Sequence, residues 1–112
     1  MGQYHAIYNL DRQELLNPCG FGDGLKLREF GRSGGGTMAA LAYLLAGSTC
    51  RGGGDFSKGP NGGRWCGDKI AIIGDYCEDG DVRGTTMAEL KLGNFTDISG
   101  VVRNEMGGEL DR

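Results

Sequence analysis

Three arginines stand against glycine runs. Arg32 precedes Ser33-Gly34-Gly35-Gly36-Thr37, Arg51 precedes Gly52-Gly53-Gly54 and then Asp55, and Arg64 follows Gly62-Gly63 and leads into Trp65. A guanidinium is a planar fork of donors suited to carboxylates and phosphates, and glycine lets a backbone come close to a ligand. The run from Gly31 to Thr37 also opens an apolar stretch with helix-forming residues, and free N–H groups at a helix start attract anions. It is not a Walker loop, because Thr37 stands where the lysine belongs and Met38 where the hydroxyl residue belongs. Nor is it G-x-G-x-x-G, since Ala39 takes the third glycine's place. Two readings stay open: an anion site at the helix start built from Ser33, Gly35 and Thr37, with Arg32 or Arg51 clamping the anion, or a plain capped helix start.

Other constellations are weaker. Asp75, Glu78, Asp79 and Asp81 resemble a calcium loop only in part, because Cys77 and Thr86 fall where oxygen ligands are needed; a solvated acidic hairpin is the alternative. His5 is the single histidine, and Cys19, Cys50, Cys66 and Cys77 include no C-x-x-C pair. Neither a zinc site nor a nucleophile with its base is assembled by such spacing. The cysteines read as small buried hydrophobes. No cofactor, metal or catalytic residue is expected. Trp65 reads as a core plug; exposed beside Arg64, it would instead be a hot-spot pair for a protein partner.

The 112 residues include 23 glycines, about 21% against an ordinary 7% or so. The core must therefore be lean, and a homodimer remains open as a way to enlarge it. Twelve basic and fifteen acidic residues leave a net charge of −3, which disfavours nucleic acid as a partner. No apolar run reaches the roughly 18 residues of a membrane span, and the opening residues lack a signal-peptide pattern. The expectation is a cytoplasmic protein.

The elements that must position these residues follow from period and punctuation. Tyr4 to Asn9 and Gln13 to Asn17 read as an opening β-hairpin. Between Gly22 and Gly31 a short helix is predicted, with Asp23 as its cap. Thr37 to Ala46, apolar nearly all round and closed by Gly47, predicts a buried central helix. Arg64-Trp65-Cys66 and Lys69 to Tyr76 flank Gly67-Asp68 and read as a second hairpin. Val82 to Met87 reads as an edge strand, Ile98 to Met106 as a weak terminal helix, and the last residues as a frayed end. The predicted architecture is a single α+β domain over residues 1–112: a small antiparallel sheet packed on a buried central helix, with long Gly-rich loops.

With MGQYHAIYNLDRQELLNP, FGDGLKL, SGGGT, RGGGDF, GRWCGDKIAIIGDY and FTDIS in place, nearly the whole chain resembles a family of small bacterial and phage proteins with an MGQY-type N-terminus and a GRWxGD[KR]I hairpin. The family pattern has alanine at Cys66, which argues against an essential thiol there. The resemblance carries no activity, cofactor or catalytic residue across. It implies a host-directed or defence-inhibiting binder, of the anti-CRISPR sort. Two functions are weighed from here: a non-enzymatic binding protein using Arg32, Arg51, Asp55, Arg64, Trp65 and Asp68 on its loops toward a protein partner, or a nucleotide or small anionic ligand-binding protein, or enzyme, using the helix start.

Overall fold

A computed structural model describes residues 3–32, 36–48, 51–56, 59–78, 81–82 and 94–107. The fold is α+β, as predicted. Strands β1 (His5–Asn9) and β2 (Glu14–Leu16) form the opening antiparallel hairpin, with Ile7 opposite Leu16. Asn9 closes its turn from inside: the fully buried amide accepts from the N–H groups of Asp11 and Arg12 at 3.0 and 2.8 Å.

Strand β3 (Ile70–Gly74) pairs antiparallel with β1, and the two-residue β4 (Thr96–Asp97) pairs parallel with β2, so the order is β3-β1-β2-β4. The sheet is thus mixed, and β4 has no counterpart in the sequence reading: two residues are too few to show a period.

The short helix α1 (Leu27–Phe30) and the central α2 (Gly36–Leu45) follow the predicted order. Helix α2 buries Thr37, Ala40, Leu41, Tyr43 and Leu44, four of them on the i, i+3, i+4, i+7 stripe of an amphipathic helix. Ala42 is exposed, so the helix is less enclosed than its composition implies. Its stripe packs with Ile7, Leu16, Phe30, Trp65, Ile98, and with Val102 and Met106 of the predicted terminal helix α3 (Ser99–Met106). The opposite face of the sheet carries Tyr8 and Ile73 under Leu15, Val82 and Phe95.

Asp23 does not cap α1. Its carboxylate accepts from the backbone N–H and hydroxyl of Thr37 at 2.9 and 2.6 Å and so caps α2, while Glu29 folds back onto the Lys26 N–H at 3.0 Å to start α1.

The second predicted hairpin is absent. Residues 60–67 form successive turns, with Gly63 and Gly67 at φ +77° and +85°, outside the strand region. Two backbone donors of this segment go to α2: Gly63 N–H to the Tyr43 carbonyl at 3.0 Å and Trp65 N–H to the Leu44 carbonyl at 2.9 Å. These are carbonyls that a helix end leaves without intrahelical partners. A Cβ on Gly63 would lie 2.8 Å from the Ala46 carbonyl oxygen. Gly63→Ala is therefore expected to cost about 2 kcal/mol, read as a lower urea midpoint, whereas Gly52→Ala, with open space around it, should change the midpoint little.

The cysteine reading needs correction: Cys19 and Cys66 are exposed thiols and Cys77 is half-buried, because the turns that carry Cys19 and Cys66 lie at the surface. Cys50, Ser33, Gly35, the rest of the Val82 to Met87 segment and the final residues from 108 lie outside the described residues.

Candidate functional site

The described structure spends most of the predicted binding residues on its own cohesion. Glu14, buried on the helix side of β2, accepts from Arg64 Nε and Nη2 at 3.0 and 2.6 Å and from Trp65 Nε1 at 2.9 Å. The Arg64 hydrogen bonds hold the Glu14 carboxyl below its ordinary value, and the same pair raises Arg64. Trp65 is 0% exposed, so it offers no face to a partner. The core-plug reading holds, and the hot-spot reading is set aside.

Asp68 is likewise engaged, accepting from Asn9 Nδ2 and Arg12 Nε, each at 2.9 Å. The Asn9 amide and then Arg12 hold its carboxyl below the usual range. Thr37 is fully buried, and both its donors are taken by Asp23. A carboxylate of the chain itself thus occupies the α2 start, where an outside anion was considered. Asp55 closes an exposed loop by accepting from the N–H groups of Arg51 and Gly52 at 2.9 and 3.0 Å; the Arg51 side chain points to no ionic partner among the described residues. In the acidic stretch, Asp75 accepts from the Tyr4 N–H and Asp81 from the Glu78 N–H.

A second network ties α3 to the glycine loop. Tyr43 Oη donates to Glu105, which also accepts from the Asn61 N–H and Nδ2 at 2.9 and 2.8 Å. Burial pushes the Glu105 carboxyl up, but these hydrogen bonds outweigh it and leave it below its ordinary value. Glu14, Glu105 and Asp68 therefore share one sign. Their contribution is complete above the unfolded carboxylate range and is lost as pH falls through the lowered folded values. The thermal midpoint is expected to hold steady from pH 7 to about 5 and to drop below about pH 4.5, near the ordinary glutamate value. The Glu14→Gln variant should show the shallower acid slope, and an identical slope would remove Glu14 from the account.

One surface is left with unspent chemistry. Phe30 is fully buried and anchors α1, so Arg28 and Arg32, two positions to either side, stand outward. Together with Leu27, Gly31, Met38 of α2 and Ile72 of β3, they line an open groove of about 520 Å³. Its floor is apolar and unusually bare: Leu27 is 47% and Ile72 42% exposed. Neither arginine has an ionic partner among the described residues. Of the predicted site residues that are described, only Arg32 belongs to this groove. Leu27, Arg28, Met38 and Ile72 were missed, although Arg28 and Arg32 at i, i+4 around a single Phe form a legible signal. Among the described residues no helix is long and apolar enough to cross a membrane.

Comparison of the chain with family models, with curated proteins and with solved structures finds no match.

Proposed function

We propose that this chain is a non-enzymatic binding protein whose contact surface is the groove between α1, α2 and β3. The observation that carries the reading is the pair of guanidinium groups, Arg28 and Arg32, without an ionic partner among the described residues, over the bare apolar floor of Leu27, Met38 and Ile72. Buried apolar anchors beside arginine are what protein interfaces use most. The fitting partner is a protein surface with a negative charge next to an apolar side chain. The resemblance to phage and mobile-element proteins supports a cytoplasmic host protein as that partner and an inhibitory role toward a defence protein.

The test is capture from cell lysate with the wild-type chain and with Arg28→Glu/Arg32→Glu, followed by titration of the recovered protein. The reading expects a partner whose affinity falls at least about tenfold on charge reversal. Equal retention by both chains would refute it.

A groove of about 520 Å³ also falls within the range of about 300–1,000 Å³ typical of small-ligand sites, which favours a small anion with an apolar body as the second reading. Thermal shift against nucleotides and amphiphilic carboxylates decides: a ligand at about 100 times its Kd adds roughly 2.7 kcal/mol of stability, and a flat response across the panel removes this reading.

A further inference from the structure

The groove borders the outer edge of β3. Leu10 N–H donates to the Lys69 carbonyl and Asp75 N–H to the Tyr4 carbonyl, at 2.8 and 2.9 Å. These two ends place the alternating hydrogen bonds to β1 at Lys69, Ala71, Ile73 and Asp75. The N–H and C=O groups of Ile70 and Ile72 therefore point away from β1, and β3 is the terminal strand among the described residues. Within Ile70–Gly74 no proline and no charged side chain blunts that edge, although natural edge strands are commonly protected in this way.

Ile72 lies opposite Ile7, a core residue under α2, so its side chain is on the helix side of the sheet, where Leu27, Met38, Arg28 and Arg32 complete the groove. A strand added about 4.8 Å outside β3 would direct every second side chain toward these residues, at steps of about 6.6 Å.

Resting on the binding reading above, we infer that the partner enters as an extended segment pairing with the backbone of Ile70 and Ile72, with an apolar residue over Leu27, Met38 and Ile72 and an acidic residue two positions away on Arg28 and Arg32. Main-chain pairing supplies affinity in such strand addition, and the alternate side chains supply selectivity. Charge selects this occupant over a second copy of the chain, because two-fold pairing of β3 with itself would bring together two sets of arginines that have no ionic partner among the described residues.

The experiment uses the full isotope-labelled chain and a capped heptapeptide with a central valine, a glutamate two residues to either side, and threonines elsewhere. A lysine-for-glutamate peptide and a peptide N-methylated on the backbone serve as controls. Expected are saturable shifts at Arg28 and Arg32, exchange of the Ile70 and Ile72 amides slowed at least about tenfold, and binding at least about tenfold weaker for each control. Shifts at the arginines with unchanged Ile70 and Ile72 exchange, or equal binding of the N-methylated peptide, would overturn strand addition and leave the groove as an anion-binding surface. Ile70 and Ile72 amides already protected in the free chain would also overturn it, since the edge would then be covered. No saturable response at millimolar peptide would do the same, while the lysate capture separately decides whether the chain binds through the groove.

Discussion

Trp65→Ala is expected to remove about 4 kcal/mol of folding stability, a large part of the roughly 5–15 kcal/mol that a domain possesses. The indole is fully buried and is the largest side chain of the core it shares with Ile7, Leu16, Phe30, Leu44 and Val102. Its loss opens a cavity and also strips one donor from Glu14. Its backbone N–H still caps the Leu44 carbonyl, so the effect should come from packing and the indole N–H alone. Urea unfolding reads it directly. Trp65→Phe separates the two causes: it restores much of the volume but not the donor, and should fall between wild type and alanine. A loss for Trp65→Ala of no more than about 0.5 kcal/mol, the range of ordinary surface changes, would show that the core does not depend on this ring.

The second large effect is expected at Glu14. Glu14→Ala leaves the Trp65 indole N–H buried without an acceptor and Arg64 without its partner. Removing one member of a buried pair typically costs about 3–5 kcal/mol. Because the Arg64 side chain is 38% exposed and water can screen it, we expect the lower end, about 3 kcal/mol. Arg64→Ala should cost less, since Glu14 keeps the indole donor. The Glu14 and Trp65 substitutions share one hydrogen bond, so their effects should be sub-additive in a double-mutant cycle. Strict additivity would mean that the bond contributes nothing.

Much of the fold was legible because period and punctuation agree. The Tyr4–Asn17 hairpin, the apolar run that becomes α2, the isoleucines of β3 and the terminal α3 all stand where alternation and glycine stops place them. Two of the failures share a cause in long-range hydrogen bonding. GRWCGDKI has the local grammar of a hairpin, but the N–H groups of Gly63 and Trp65 are claimed by the end of α2, a demand that no local window contains. Asp23 reads as a cap for the short helix, but α1 starts only at Leu27 and the Asp23 carboxylate reaches Thr37, fourteen residues on. The site was harder still. Arg64, Asp68 and Trp65 were marked because charge and aromaticity beside glycine attract attention, and those groups are consumed by Glu14, Asn9 and the core. Arg28, which borders no glycine run and shows only through its i, i+4 spacing to Arg32, has no ionic partner among the described residues, because Phe30 turns α1 so that its polar side faces out.

The most direct measurement is the hydrogen-exchange footprint of the captured partner on the wild-type chain. Slowed exchange over Leu27–Arg32 and Ile70–Gly74, with residues 51–55 and 61–68 unchanged, is the predicted pattern. Protection confined to the Arg51 loop or to the turns around Arg64 would contradict it, and would return the contact surface to the glycine-flanked arginines.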